Sequence, residues 1–117
     1  MAKLPSEYII YLADLLSCVG TVKVKPMFGG YGVYAQGLMF ALIHQDVLYF
    51  KVNVDTVKDY NQAGLLPFSY IKQGKIHHIN YYQCPDDALE DEEVMSKWAI
   101  KAYGVAFAAK SIKTKGC

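Results

Sequence analysis

The sequence predicts a two-layer α+β domain, with helices and an antiparallel sheet in the order α-β-β-β-α-β-β-α. The main observation is that residues 26–54 hold three short runs rich in aromatic and β-branched residues, separated by Gln36-Gly37 and Gln45-Asp46. Such runs are typical of an antiparallel meander joined by tight turns. A second hairpin pattern follows later in the chain, and segments with apolar residues at helical spacing lie at both ends.

Length and composition indicate a single domain over residues 1–117. A chain of 117 residues is too short for two ordinary domains. With 53% apolar residues and a formal net charge of +1, it can bury enough surface to fold, which excludes a disordered chain. No apolar run approaches the ~20 residues of a membrane span. Glu7 and Asp14 near the start argue against a secretory leader, so we expect a soluble protein with no membrane partner.

Cysteine and arginine usage narrow the expected compartment and partners. The three cysteines are far apart and form no C-x-x-C, which fits the reducing cytoplasm. All twelve basic residues are lysine, so the side chain that reads guanine and clamps phosphate with paired hydrogen bonds is absent. Direct nucleic-acid binding is therefore not expected, although lysines still permit weak contacts with a phosphate backbone.

The first helix is expected to begin at Pro5-Ser6-Glu7 and to end near Gly20. Its apolar face recurs at helical spacing and consists of Tyr8, Ile9, Leu12, Leu15 and Leu16. Residues 21–25 then alternate like an edge segment with its lysines on one side. Pro26 is expected to end the pairing of this segment, because proline lacks the backbone N–H.

A glycine cluster opens the meander. Gly29, Gly30 and Gly32 favour a β-bulge or a close backbone approach at this point. Residues 30–35 also fit the pattern G-x-G-x-x-A, but the dinucleotide fingerprint must open a helix, and here a strand pattern follows. We therefore assign the glycines to the start of the sheet.

The later strands of the meander indicate how the sheet is covered. In the middle run both faces are apolar, which is typical of a central strand. Strict alternation places Leu38, Phe40 and Leu42 on one face and Met39, Ala41 and Ile43 on the other. In the third run Leu48, Phe50 and Val52 share one face, and Val47, Tyr49 and Lys51 share the other. One face of the sheet should carry helices and the other should be partly exposed or paired.

The second half of the chain follows the same logic. Asn53 or Asp55 is predicted to cap a short helix over residues 56–63, which Gly64 closes in the left-handed conformation. Residues 67–83 form a hairpin around the turn Gln73-Gly74. One last helix is then expected, with acidic residues at its beginning and lysines at its end, both of which suit the helix dipole.

No constellation of residues indicates catalysis, a metal or a cofactor. His77 and His78 are neighbours in a predicted strand, so their side chains point to opposite faces and cannot share one metal ion. No serine or cysteine lies in a nucleophile-elbow context, and the acidic residues cluster where helix capping and the dipole explain them. We therefore expect a non-enzymatic domain.

Tyrosine is the compositional anomaly, with ten residues of which several lie in predicted strands. One interpretation is ordinary packing of a sheet. The other is a protein interface on the open sheet face, because tyrosine joins a large apolar ring to a polar tip. The contact residues predicted by the second interpretation are Phe28, Tyr31, Tyr49, Lys51, Tyr81 and Tyr82.

The order and spacing of many residues resemble the N-terminal domain of the TfoX/Sxy family over about residues 24–102. The residues that carry the resemblance are Met27-Phe28-Gly29-Gly30-Tyr31-Gly32-Val33-Tyr34, Gly37, Met39-Phe40-Ala41-Leu42-Ile43, Leu48-Tyr49-Phe50-Lys51-Val52, Gly64, Pro67-Phe68, Tyr70, Gly74-Lys75, Tyr81-Tyr82, Pro85, Leu89 and Trp98. The resemblance implies a fold like that of the type III secretion chaperones. It also implies a link to activation of natural-competence genes in concert with the cyclic-AMP receptor protein.

The resemblance also sets functional expectations. Fuller members carry a helical C-terminal domain, which this chain, ending at Cys117, is expected to lack. No catalytic residues are associated with the family. We expect a cytoplasmic bacterial regulatory module that acts through protein contacts, with the cyclic-AMP receptor protein or RNA polymerase as partner. Two alternatives stay open: a stand-alone dimeric adaptor or chaperone-like protein with no role at DNA, and a small-molecule binder or enzyme with a pocket near residues 28–31.

Overall fold

The computed structural model describes residues 7–27 and 30–116, and the side chains among these as far as residue 109. The predicted α+β fold with an antiparallel sheet is confirmed, with four strands between the first two α-helices where three were predicted. The elements are α1 (Glu7–Leu15), a 3₁₀ turn (Ser17–Val19), β1 (Val22–Met27), β2 (Gly30–Ala35), β3 (Leu38–His44), β4 (Val47–Lys51), α2 (Val57–Gln62), β5 (Pro67–Lys72), β6 (Lys75–Gln83), α3 (Asp86–Glu90) and α4 (Glu92–Gly116). In the part of the chain that the structure describes, no helix is both long enough and apolar enough to cross a bilayer.

The six strands form one antiparallel sheet in the order β1-β2-β3-β4-β6-β5. The buried residues of all four helices pack on one face of this sheet, where they meet the apolar side of the central strands. α4 lies across β3 and β4 and forms the largest helix contact with the sheet. We call the other side, on which no described helix residue packs, the open face. The expectation of one covered and one open face is thus confirmed.

A β-bulge in β3 decides which side chains face the helices. Val33 pairs with Ala41 and Tyr34 with Met39, so Phe40 has no partner on β2. An extra residue turns the strand and breaks the alternation of its side chains. Phe40 and Ala41 are consequently both buried in the helix-facing core, and Leu42 lies on the open face. The strict alternation predicted for residues 38–43 therefore holds as far as Phe40 and is wrong from Ala41 onward.

The first strand also differs from the prediction at Pro26. β1 continues through Pro26, which pairs with Tyr31, and ends at Met27, which pairs with Gly30. An edge strand uses the hydrogen bonds of one side only, so proline is tolerated there. The close backbone approach predicted for the glycine cluster is confirmed at Gly30, because a Cβ atom there would overlap the backbone carbonyl of Ile43. Gly29 lies outside the described residues.

The three predicted turns are all left-handed at both central positions. The backbone angle φ is 51° and 80° at Gln36-Gly37, 51° and 66° at Gln45-Asp46, and 53° and 79° at Gln73-Gly74. This is the geometry of a two-residue hairpin turn whose twist matches that of the flanking strands. Glycine supplies the second position in two of the turns, and Asp46 adopts it in the third.

Helix α2 is capped as predicted. The side-chain oxygen of Asn53 accepts hydrogen bonds from the backbone N–H groups of Asp55 and Thr56, each at 2.9 Å. The hydroxyl of Thr56 in turn accepts one from the backbone N–H of Asn53 at 3.0 Å. Such a reciprocal pair satisfies backbone donors at the start of a helix. Gly64, with φ of 74°, follows the end of the helix.

The predicted single C-terminal helix is two helices. Asp91 has an extended backbone, with φ of −138° and ψ of 114°, which separates α3 from α4. Its carboxylate accepts hydrogen bonds from the backbone N–H groups of Glu93 at 2.9 Å and Val94 at 3.3 Å. An aspartate that caps a helix in this way competes with helix continuation. The acidic run was thus interpreted correctly as a helix start, but its last part begins a new helix.

Tyr60 of α2 lies at the centre of the covered face. Its ring packs at 4.8 Å from that of Trp98 and at 5.8 Å from that of Tyr82, measured between centroids. The side chain is fully buried, and among the described side chains its hydroxyl has no hydrogen-bond partner. A buried polar group without a partner lowers the stability of the folded state.

We predict that Tyr60→Phe raises the free energy of unfolding by about 1 kcal/mol, because it removes an unsatisfied hydroxyl and keeps the ring. Tyr11→Phe is the matched control. The Tyr11 hydroxyl donates to the backbone carbonyl of Leu89 and joins α1 to α3, so its removal should lower the same quantity. Urea denaturation measures both variants, and a loss of stability in Tyr60→Phe contradicts the prediction.

Candidate functional site on the open face of the sheet

The open face has an apolar centre of its own. Leu42, Phe68 and Tyr81 are buried there, and Met39, Tyr49 and Ile79 pack against them. Burial without a helix is possible because the hairpin of β5 and β6, which we call the hairpin arm (residues 67–83), bends over the neighbouring strands. Phe68 of the edge strand β5 reaches Tyr49 of β4 at 5.0 Å and His44 of β3 at 5.2 Å between ring centroids.

Lysine side chains lie over two tyrosine rings of this face. The ammonium of Lys51 is 5.3 Å from the ring centroid of Tyr81, its direct partner across β4 and β6. The ammonium of Lys25 is 5.1 Å from the ring centroid of Tyr34. Cation–π pairs of this kind contribute about 0.5–1 kcal/mol each at exposed sites. The open face therefore presents positive charge next to aromatic surface.

Burial raises the pKa of two tyrosine hydroxyls of the open face, those of Tyr49 and Tyr81. Loss of solvation raises the pKa of Tyr81 to about 12 from its ordinary value of 10.0, with a smaller contribution from the neighbouring Tyr34. Loss of solvation also raises the pKa of Tyr49. Both hydroxyls thus remain neutral groups that can donate a hydrogen bond at neutral pH.

The structure divides the predicted contact residues between the two faces. Tyr49, Lys51 and Tyr81 lie together on the open face. Tyr31 and Tyr82 pack against the helix-facing core instead, and Phe28 lies outside the described residues. Tyr81 and Tyr82 are consecutive in β6, so only one of them can face the open side. The role of these residues in binding a partner stays a prediction.

Sequence reasoning missed the outer part of this face. His44, Phe68, Tyr70 and Lys72 line a cavity of about 400 Å³, which we call the aromatic slot. The Tyr70 ring stacks on Phe68 at 6.3 Å and on His77 at 5.3 Å between centroids. The alternation of Phe68, Tyr70 and Lys72 in β5 was a signal for a shared face. His44 of β3 lies beside these residues because the hairpin arm bends, and no local sequence pattern predicts this bend.

A second groove lies at one end of the sheet and has an acidic rim. It has a volume of about 560 Å³, and Asp46, Asp86, Asp87, Tyr8 and Cys84 are among its lining residues. Burial raises the pKa of the Cys84 thiol to about 12, with a further contribution from Asp86. The thiol donates to the backbone carbonyl of Pro85 at 3.4 Å. It is therefore protonated at neutral pH, and a protonated thiol is a poor nucleophile.

The described residues contain no group of three or more histidine, cysteine, aspartate or glutamate side chains placed to hold a metal ion. The open face brings aromatic rings and lysines together on one side of the sheet. The described residues thus define a small α+β domain whose helices pack on one face of the sheet.

The family is shown by comparison with known proteins. The model of the TfoX N-terminal domain matches residues 14–106, which include all six strands and reach into α4, and the chain belongs to this family. The match confirms the resemblance of residues 24–102 and extends it at both ends. The family is not a known enzyme family. No curated protein matches the chain.

We predict that Cys84 reacts with a thiol reagent only when the domain unfolds, because its buried thiol stays protonated. The matched comparison uses two variants. Cys18→Ser with Cys117→Ser leaves Cys84, and Cys84→Ser with Cys117→Ser leaves Cys18, which is exposed. Cys18 should react rapidly in the native protein at pH 8, whereas labelling of Cys84 should follow the urea unfolding curve. Rapid labelling of native Cys84 contradicts this assignment.

The raised pKa of Cys84 also predicts how the free energy of unfolding depends on pH. The thiol loses its proton at about 9.0 in the unfolded chain and at about 12 in the folded one. Between these values the unfolded state binds fewer protons, so the free energy of unfolding falls as pH rises. The tyrosines with raised pKa values add to this loss mainly above pH 10.0, their ordinary value. The decline between pH 9 and 10 should therefore be weaker in Cys84→Ala, and an unchanged decline would remove the assignment to Cys84.

Proposed function

We propose that this domain is a non-enzymatic regulatory module that binds a protein partner through the open face of its sheet. The observation that carries the proposal is the set of half-buried rings and lysines on a sheet face that no described helix covers, in a member of the TfoX N-terminal family. A face of this kind suits association, because rings held rigidly by their neighbours lose little conformational freedom on binding.

The centre of the proposed interface is formed by Tyr49, Lys51 and Tyr81. Tyr49 is partly buried between Leu42 and Phe68 and presents its remaining surface outward. Lys51 is held over Tyr81 and offers an ammonium at the rim of the apolar centre. Tyrosine is enriched among the residues that dominate interface energies. A partner that fits this surface has an apolar patch with acidic side chains beside it.

The proposed partners follow from the family link to competence genes. They are the cyclic-AMP receptor protein and RNA polymerase, with the domain acting as a transcriptional co-regulator in the cytoplasm. The exposed thiol of Cys18 and the unpaired, buried thiol of Cys84 suit a reducing compartment. Through this interface the domain contributes protein contacts at a promoter, with no need to read a base sequence.

We predict that the immobilised domain retains purified cyclic-AMP receptor protein or RNA polymerase from its own host. Lys51→Glu and Tyr49→Ala should weaken retention at least tenfold, because each removes a central contact of the open face. Lys97→Glu is the matched control, since Lys97 is an exposed lysine of α4 on the opposite layer. Clean failure of the unaltered domain with both proteins removes the transcriptional part of the proposal. Equal loss in Lys51→Glu and Lys97→Glu removes the assignment to the open face.

A stand-alone homodimeric adaptor is the second candidate, and one observation favours it. Ile71 and Ile76 are directly paired in the hairpin arm and are exposed to 74% and 67% of their surface. They lie on the side of the arm opposite Tyr70, next to the free edge of β5, where a second copy could add its own strand.

We predict for this candidate a monomer–dimer equilibrium in the micromolar range, measured by sedimentation as a function of protein concentration. Replacing Ile71 by lysine should shift the equilibrium to monomer, because it places a charge in the paired apolar surface. Ile100→Lys is the control, since Ile100 is similarly exposed on α4. A monomer at all micromolar concentrations eliminates the dimeric candidate.

A further inference from the structure

The hairpin arm concentrates positive charge without acidic neighbours along its own strands. Residues 67–83 contain two lysines and two histidines but no aspartate or glutamate. Lys72 and Lys75 pair across the turn at the tip, so both ammonium groups lie on one side of the arm. Tyr70 lies two residues before Lys72 and therefore shares that side. The arm thus carries two cations next to an aromatic ring.

Three rings on this side lie close together with nearly parallel planes. The planes of Tyr70 and His77 differ by 21°, and those of Tyr70 and Phe68 by 27°. Phe68 is held from below by Tyr49 and His44, whose planes are each at 71° to its own. Phe68 is only 4% exposed, whereas Tyr70 is 41% exposed. The base of the aromatic slot is therefore fixed, and Tyr70 is the exposed ring beside it.

We propose that the aromatic slot binds a nucleotide unit, with the base stacked at Tyr70 and the phosphate held by Lys72 and Lys75. The unit can come from a free nucleotide or from a single-stranded nucleic acid. The slot of about 400 Å³ is in the size range of small-molecule pockets, which is roughly 300–1,000 Å³. This inference goes beyond the proposed protein interface, whose central residues are on β4 and β6.

The chemistry of the slot favours a base over an acidic peptide. A peptide carboxylate needs only the lysines, whereas the exposed Tyr70 also offers an aromatic ring on which every base can stack. The absence of arginine argues against reading of a duplex sequence. It does not weaken this proposal, because a stacked base with a lysine-bound phosphate requires no hydrogen-bond readout.

The test measures fluorescence anisotropy of a labelled single-stranded oligothymidylate with the full chain, over a series of salt concentrations. Tyr70→Ala should weaken binding by roughly 10- to 100-fold, as expected for loss of one base–aromatic contact. Tyr70→Phe keeps the ring and should retain binding. Lys72→Gln should lower the slope of log affinity against log salt by about 0.7, the value for one phosphate contact on a single strand.

Two controls separate the slot from the rest of the molecule. Ile71→Ala alters the other side of the same strand, and Lys58→Gln removes the same charge from an exposed position of α2. Both should bind as the unaltered chain does. Calorimetry with AMP, adenosine and inorganic phosphate identifies the source of the ligand. Tight binding of AMP supports a free nucleotide, and binding of the oligonucleotide with only weak binding of AMP supports a strand.

Three results would overturn the proposal. The first is no binding of oligothymidylate or AMP at millimolar concentration. The second is equal affinity of Tyr70→Ala and Ile71→Ala. The third is that inorganic phosphate or poly-glutamate binds as tightly as the nucleotide probes, which would mean that the lysines act without the ring. None of these results affects the pull-down through Lys51 and Tyr49, so the two proposals can fail separately.

Discussion

The packing of α4 against the middle of the sheet is the interaction on which the rest of the structure depends. The helix presents small side chains, Ala99, Ala102 and Ala106, together with Met95, and all four are buried. Small residues let the helix axis approach β3 and β4 closely, so that large rings such as Phe40 fill the space between the layers. Buried residues of the other three helices pack in the same cluster, and no described helix residue packs on the opposite face.

An open sheet face needs its own source of stability, and here the hairpin arm supplies it. The arm bends until Phe68 meets Tyr49 and His44, which removes apolar surface from water without a third layer. The same bend creates the aromatic slot and holds its rings in place. The bend of the hairpin arm thus both buries the apolar centre of the open face and leaves the aromatic slot accessible beside it. The rings that a binding site would use are therefore already packed in the free domain.

The elements could be predicted from the sequence where local rules decide them. The turn at Gln73-Gly74, the cap at Asn53 and the burial of Leu12 each follow from residue type or spacing. The sequence pattern failed where tertiary packing decides. The bulge at Phe40 cannot be read from a run in which every residue is apolar, since each register buries a hydrophobic side chain equally well. The helix break at Asp91 was missed for a related reason. An aspartate within an acidic run suits the first turn of one continuous helix as well as the cap of a new one.

The candidate site was predictable in part, because strand alternation and strand pairing decide some of its members. Alternation places Tyr49 and Lys51 together, and pairing across β4 and β6 adds Tyr81, so these three residues follow from strand parity and register. Tyr31 and Tyr82 were included because they are tyrosines, although the alternation of side chains along their strands places them on the helix-facing side. The slot depends on how far the edge hairpin bends, a property of sheet curvature. The composition indicated that tyrosines form the site. Which of the tyrosines lie at the surface is decided by the curvature of the sheet.

Charge distribution adds a last constraint on what this fold can bind. Although the net charge is only +1, acidic residues and lysines are concentrated in different parts of the chain. The acidic residues Asp86, Asp87, Glu90, Asp91, Glu92 and Glu93 surround the starts of α3 and α4, and they satisfy helix N-termini there. The lysines of β1, β4 and the hairpin arm lie on strands, where no dipole requires them. The lysines of the open face thus serve no helix terminus, and their ammonium groups lie beside aromatic rings that an anionic partner or ligand could also contact.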